Sequence, residues 1–144
     1  MLRTVELFAG GSERATAVAN STGTVKLVPF KKAVCVLDLT ATSGAVGDTL
    51  DVFVDVLVGN KWVNAIHFAQ IAGNASAGAW AASLNGDMTL SSSLADPIAV
   101  TSDAAAGKAR QFAIGQGIRG RYTLVDAGAH GQGATFSLYA TLWD

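Results

Sequence analysis

Residues 49–71 read TLDVFVDVLVGNKWVNAIHFAQI and contain the clearest β-hairpin signal in the chain. Between residues 50 and 58 an aliphatic side chain occupies every second position, which is the period of a strand with one buried face. Val54 stands at the centre of that face. Gly59 and Asn60 then suit a two-residue type II′ turn, because glycine tolerates a positive φ at the first central position. We therefore predict a hairpin whose second strand begins at Lys61.

The second strand of this hairpin allows two registers. A tight register buries His67 and leaves Ile66 and Phe68 on the opposite face. An extra residue near Asn64 and Ala65 would form a β-bulge that turns Ile66 and Phe68 inward and His67 outward. We favour the bulge because burying two large apolar side chains stabilises the fold by several kcal/mol.

Other segments predict further short strands. Apolar alternation marks residues 33–40, 118–125 and 135–143, and the last two segments flank a glycine-rich loop. Weaker predictions are strands at residues 25–30 and 97–100, two short strands around a turn at 85–87, and one helical turn at 102–110. About seven or eight short strands without a long helix predict an all-β, jelly-roll-like antiparallel β-sandwich.

The N-terminal segment differs from the rest in its pattern. We divide the chain into residues 1–24, an N-terminal arm or edge strand, and residues 25–144, the sandwich domain. The apolar side chains of Val5, Leu7 and Phe8 are soon followed by glycines, so the segment buries too little to order alone. Such a segment suits strand addition to another subunit. We expect residues 4–8 to leave their own sandwich and pair there.

Composition restricts the possible partners. The chain has 144 residues, of which 15% are charged, and its net charge of −1 gives no general electrostatic case for nucleic acid or a membrane surface. No apolar run is long enough for a transmembrane helix. Its single cysteine excludes an intrachain disulfide. Few charges fit a subunit that buries its surface against neighbours, or an ordinary sandwich rich in small residues.

No motif predicts a catalytic centre. The GxGxxG pattern at residues 115–120 precedes a predicted strand, whereas a dinucleotide site needs a helix there. His67 and His130 are not spaced as metal ligands. Asp51 and Asp55 share a strand face but lie roughly 13 Å apart by strand rise, too far for a carboxylate dyad. We interpret both as solvated or interfacial charges, and we predict no enzyme activity, cofactor or metal.

Several side chains are candidates for an interface. Phe53, Leu57 and Trp62 form the apolar second face of the hairpin and predict self-association there. Arg119 and Arg121 are expected on one strand face, where they meet either solvent at a sheet edge or acidic residues of a neighbouring subunit.

The aromatic residues support a second hypothesis. If exposed and coplanar, Trp62, Trp80, Trp143 and Tyr139 would form a sugar-stacking platform, as in a carbohydrate-binding sandwich. Packing in the core or between subunits is the more frequent role of such residues.

Three segments together resemble small structural proteins of tailed bacteriophages. They are VLDLT at residues 36–40 with the following Ser43-Gly44, TLDVFVDVLVGNKWV at 49–63, and IRGRYT at 118–123 with FSLYA at 136–140. In that family a TLDV strand, a turn ending in a W-V pair, an IR…Y strand and a terminal F-S-x-Y strand recur in this order. The chain departs from the pattern in its first 30 residues and in its longer loop at 126–133.

The resemblance implies a virion structural protein that is made in the host cytoplasm. Its simplest form is a capsid decoration or cement protein on the phage head, with a tail or head-fibre component as the alternative. It implies two kinds of partner: other copies of the chain, most simply in a trimer, and a major capsid protein.

Overall fold

Alternation of apolar and polar side chains organises the protein into two antiparallel sheets packed face to face. The computed structural model describes residues 1–9, 14–16, 18–85, 103–110, 115–128 and 133–144. Within them the fold is all-β, so the predicted jelly-roll-like sandwich is confirmed.

Sheet A has the spatial order β1-β11-β4-β8, and β2 also pairs with β11. Its strands are β1 (Leu2–Phe8), β2 (Arg14–Thr16), β4 (Lys32–Thr42), β8 (Gly78–Asn85) and β11 (Gly133–Trp143). Sheet B has the order β3-β10-β5-β6-β9, and β7 also pairs with β5. Its strands are β3 (Val18–Lys26), β5 (Thr49–Val58), β6 (Lys61–His67), β7 (Ile71–Ala72), β9 (Lys108–Ala109) and β10 (Gly117–Val125).

The core lies between the inner faces of the two sheets. An edge-to-face triangle of aromatic rings occupies one part of it, with ring centroids 5.1–5.5 Å apart among Phe8, Tyr122 and Phe136. A Cβ at Gly120 would lie 2.7 Å from the Phe8 ring and 2.9 Å from the Leu138 side chain. Packing against these side chains therefore explains this glycine of the GxGxxG pattern.

The hairpin forms with the predicted bulge. Gly59 has a φ of +62°, as a tight turn of this kind requires. Val54 pairs with Ile66 while Asp55 pairs with Asn64, so Ala65 is the extra residue of the bulge. Ile66 and Phe68 are buried, and His67 lies on the other face, so the structure confirms the favoured register.

The expectation that residues 4–8 leave their own sandwich is wrong. β1 pairs with β11 of the same chain from Leu2, opposite Trp143, to Phe8, opposite Leu138. Val5, Leu7 and Phe8 are buried in the core. The segment finds its partner strand within the chain because the inward-facing apolar side chains fill the space between the sheets. β1 is thus an edge strand, and the proposed division between residues 24 and 25 falls inside β3.

Two weaker predictions are also corrected. The strand expected at residues 25–30 ends at Lys26. Beyond it Phe30 forms an isolated bridge to Gly115. Pro29 has no amide hydrogen to donate, so the strand does not continue through it. Residues 103–110 form a turn and β9 instead of a helical turn, with Gly107 at a φ of +74°.

The first strand expected near the 85–87 turn is β8. Residues 86–102, which include the strand expected at 97–100, lie outside the described residues.

The position of Val54 gives a direct test of the strand register. Its side chain is fully buried between the sheets. Val54→Asp should lower the free energy of unfolding by about 4 kcal/mol, because it buries an unpaired carboxylate. Val58→Asp is the control, since Val58 is 43% exposed at the end of the same strand and should change stability little. Chemical denaturation measures both, and equal losses would contradict the register.

Candidate interaction surface

A buried carboxylate organises the outer face of sheet B. Asp55 is only 2% exposed, so its interpretation as a solvated charge is wrong. Arg119 Nε donates to its Oδ2 at 3.0 Å, and Arg121 donates through Nε to Oδ2 at 3.0 Å and through Nη2 to Oδ1 at 3.1 Å. The fork of Arg121 therefore binds both carboxylate oxygens, which is the strong bidentate geometry.

Strand register explains why these charges meet. β10 lies beside β5 with Arg119 opposite Asp55 and Arg121 opposite Phe53. Residues opposite each other in an antiparallel pair point to the same face, so both guanidinium groups reach the one carboxylate. The guanidinium carbons also lie over rings, Arg121 at 4.1 Å from the Phe53 centroid and Arg119 at 4.7 Å from that of Trp62.

The bulge aims Asn64 at the same carboxylate. Its amide nitrogen donates to Asp55 Oδ1 at 3.1 Å and to the carbonyl oxygens of Val54 and Ile66 at 3.3 and 3.1 Å. Its Oδ1 accepts from the Ala104 amide at 2.9 Å. Asn64 is 3% exposed, so these bonds satisfy a polar group that would otherwise be costly to bury.

The electrostatic consequence is a stabilised anion. Burial by itself would raise the pKa of Asp55, but the hydrogen bonds and charge of Arg121, with Asn64 and Arg119, hold that pKa below its usual range. Asp55 is therefore charged in the folded protein at neutral pH.

The same cluster connects Asp103 and Ala104 to the outer face of sheet B, and β9 then extends this sheet beside β6. Arg121 Nη2 donates to Asp103 Oδ1 at 2.6 Å, and Arg110 Nη2 donates to the Asp103 carbonyl oxygen at 2.8 Å. His67 connects the segment to β5, because its Nε2 lies 2.7 Å from Asp51 Oδ1 and its Nδ1 lies 2.8 Å from the Ala104 carbonyl oxygen. Both partners are acceptors, so both hydrogen bonds form together only when both ring nitrogens carry hydrogen.

These contacts alter the expected interface. Phe53 is buried beneath Arg121 and beside the His67 ring, with centroids 4.3 Å apart, while Leu57 and Trp62 are half-buried. Arg119 and Arg121 bind an aspartate of their own chain. The prediction that Phe53 lies on an open face is therefore corrected. The two arginines bind an internal aspartate and not solvent alone, and their contact with a neighbouring subunit stays a prediction. Sequence reasoning placed the charges on strand faces but missed that β5 and β10 are neighbours.

The aromatic residues do not form one platform. Trp62 lies on the outer face of sheet B, and Trp80 lies on the inner face of sheet A, where it packs against the core. Tyr139 and Trp143 point outward from sheet A on β11. The coplanar arrangement that a sugar-stacking site needs is absent from these four residues.

Sheet A presents the more open surface. On β4 the inward side chains of Cys35, Leu37 and Leu39 are buried, and the outward Val36 and Asp38 are exposed. The alternation of residues 33–40 already placed Val36 and Asp38 on one side, but sequence alone did not show whether another layer covers them.

The thiol of Cys35 is buried in the core. Burial raises the pKa of the Cys35 thiol to about 12, which keeps it protonated and unreactive. No group of three or more metal-ligating side chains occurs among the described residues.

A cleft of about 260 Å³ beside the chain ends is lined by Arg3, Val28 and Pro29, among others. At its rim the Met1 amino group donates to Asp144 at 2.5 Å.

Across the part of the chain that the structure describes, no helix has the length and apolar character needed to cross a membrane.

Comparison with known proteins gives a likeness of fold. No protein-family model matches the chain, and no curated protein is similar in sequence. Among solved structures, that of the infectious bursal disease virus VP2 subviral particle has a TM-score of 0.52 at 10% identity, covering 99% of this chain and 32% of that chain. Structures of the Gt and Gx strains of the virus give TM-scores of 0.47 and 0.44 at 11% identity, covering 98% and 99% of this chain and 32% of each of theirs.

At these identities the likeness shows the fold alone. The chain spans about a third of the length of the VP2 chain that it resembles.

The Asp55 contacts predict a specific response to acid. Asp55→Asn should lower the free energy of unfolding at pH 7 by about 2–3 kcal/mol, because the two arginines lose their counter-charge while remaining largely buried. The pKa of Asp55 is depressed in the fold, so its contribution is present above about pH 4 and is lost as the pH falls through the folded-state value. The difference between variant and parent should shrink below about pH 4.

Urea denaturation at neutral and acid pH measures this difference. Glu6→Gln is the control, since Glu6 is an exposed carboxylate on the other sheet. A constant difference at all pH values would show that Asp55 acts through shape alone.

Proposed function

We propose that this chain is a virion structural protein, most simply a decoration or cement protein on the outside of a phage head. The observation that carries the proposal is the fold: 99% of the chain aligns, at a TM-score of 0.52, with VP2 of a subviral particle of infectious bursal disease virus. The segments that resemble tailed-phage structural proteins support the same role.

The surfaces of the molecule fit a role in contact rather than in catalysis. On sheet B, Asp55 pairs with Arg119 and Arg121, and Arg121 also binds Asp103, so these charges are used within the chain. Sheet A leaves an open outer face with few charges, of the kind that other protein surfaces cover. In this proposal the protein is not an enzyme.

Its partners in this role are other copies of the chain, in the trimer expected from the resemblance, and a major capsid protein. A shell presents many copies of each site, so contacts that are weak singly become effective together.

Localisation on the particle tests the proposal. A tagged chain should sediment with purified particles in many copies, and electron microscopy of labelled particles should place it on the head surface. Label on the tail or on fibres would overturn the decoration role while keeping the virion role. Absence from particles, together with binding on a glycan array, would favour a carbohydrate-binding sandwich and overturn the proposal.

A further inference from the structure

The ring of His67 lies between two oxygen atoms on opposite sides. Its Nε2 lies 2.7 Å from Asp51 Oδ1 on β5, and its Nδ1 lies 2.8 Å from the carbonyl oxygen of Ala104. Neither oxygen carries a hydrogen when Asp51 is charged, so each of them can only accept a hydrogen bond. Two hydrogen bonds at these distances therefore need a hydrogen on both ring nitrogens, which is the charged imidazolium form.

The neutral ring cannot keep both contacts. It carries one hydrogen, and its other nitrogen then presents a lone pair to an oxygen at 2.7 or 2.8 Å. The hydrogen stays on the side of Asp51, because a carboxylate is a stronger acceptor than a carbonyl group. Loss of the ring proton therefore breaks the contact with Ala104, a residue that is 7% exposed.

Charged groups of both signs surround the ring. They are Asp51 and Asp55 on β5, Asp103, Lys108 and Arg110 in the segment 103–110, and Arg121 on β10. Asp51 favours the imidazolium because it binds the ring directly, and both side chains are largely shielded from water, at 13% and 14% exposure. Lys108, opposite His67 in the β6–β9 register, opposes a further positive charge from an exposed position where salt screens it.

The remaining cations near the ring are matched by anions. Arg121 lies over the Phe53 ring that also stacks on His67, and its charge is balanced by Asp55 and Asp103. The opposite charge that is in direct contact with the imidazole is therefore the one that decides which form of the ring is favoured.

We propose that Asp51, His67 and Ala104 form a pH-dependent switch, in which the charged ring holds Ala104 against the outer face of sheet B and the neutral ring releases it. An ordinary histidine changes its charge between about pH 5 and pH 8, so the contact is complete at mildly acid pH and is lost as the pH rises. Its contribution to stability has the same sign, because the protonated form makes the contact. The switch does not depend on the proposed role in a virion.

The release is confined to the start of the segment. The amides of Gly107 and Arg110 donate to backbone carbonyl oxygens of β6 at 2.9 and 2.7 Å, and these bonds contain no titrating group. The amide of Ala104 instead donates to Asn64 Oδ1 at 2.9 Å. Exchange of this amide hydrogen with solvent therefore reports whether Ala104 is in place.

Amide hydrogen exchange followed by NMR tests the switch. The protection factor of the Ala104 amide, corrected for the intrinsic effect of pH on exchange, should fall about tenfold between pH 5.5 and pH 8, because one hydrogen bond to a charged group is lost. The protection factors of Gly107 and Arg110 should stay constant and serve as internal references. The nitrogen chemical shifts of the His67 ring report its protonation state, and His130→Gln removes the signals of the other histidine.

Asp51→Asn is the decisive variant, because it changes an acceptor into a donor without changing its shape. The asparagine amide group can donate to the lone pair of Nε2, so the neutral ring can donate through Nδ1 to Ala104. The asparagine oxygen can still accept the hydrogen bond from Gln70 that Asp51 Oδ2 accepts at 2.9 Å. Protection of the Ala104 amide should therefore no longer fall as the pH rises.

His67→Phe is the matched control, since it keeps a ring beside Phe53 and removes both hydrogen bonds. Protection of the Ala104 amide should then be low at both pH values. Circular dichroism confirms that each variant is folded.

The outcomes separate clearly. A fall that is confined to Ala104 in the parent and absent from both variants supports the proposal. Equal protection of Ala104 at both pH values in the parent overturns it. The same fall in Asp51→Asn or in His67→Phe as in the parent overturns it too, because the fall then has another origin. Parallel falls at Gly107 and Arg110 would show that the whole segment opens, which also contradicts the proposal.

Discussion

The buried carboxylate of Asp55 is the constraint on which one half of the molecule depends. A charge removed from water must be compensated by opposite charge and by hydrogen bonds, and here two arginines and an asparagine supply both. The requirement determines more than a local contact. The β10–β5 register places both arginines beside the carboxylate, and the bulge directs Asn64 towards it. Arg121 also binds Asp103, so the position of Asp103 depends on the same cluster.

The two outer faces of the sandwich consequently differ. On sheet B the arginines lie over Phe53 and Trp62, Asp103 and Ala104 contact outward side chains, and β9 extends the sheet beside β6. On sheet A the outward side chains include the charged Glu6, Lys32 and Asp38, and Val36 and Trp143 are exposed. A sheet must bury only one face to be stable, so in the proposed role the outer face of sheet A is where partners would bind.

The fold alone does not assign a role, since sandwiches serve many functions. The likeness to VP2 extends along nearly the whole chain at 10% identity, which shows a shared architecture. In the proposed role in a virion, the protein would act through an extended outer surface. A surface of this kind acts through area, complementarity and copy number.

Local pattern determined a large part of this protein. The alternation in residues 50–58, the Gly59 turn and the gain from burying Ile66 and Phe68 were sufficient to predict the hairpin and its bulge, because period and turn chemistry act between near neighbours. The tertiary structure decided which strands became neighbours, and with them the burial of Asp55 and the place of Leu7 and Phe8 in the core. Those contacts join residues more than 60 positions apart in the case of Asp55 and Arg121, and the order of strands in a sheet depends on the packing of the whole core and not on any one segment.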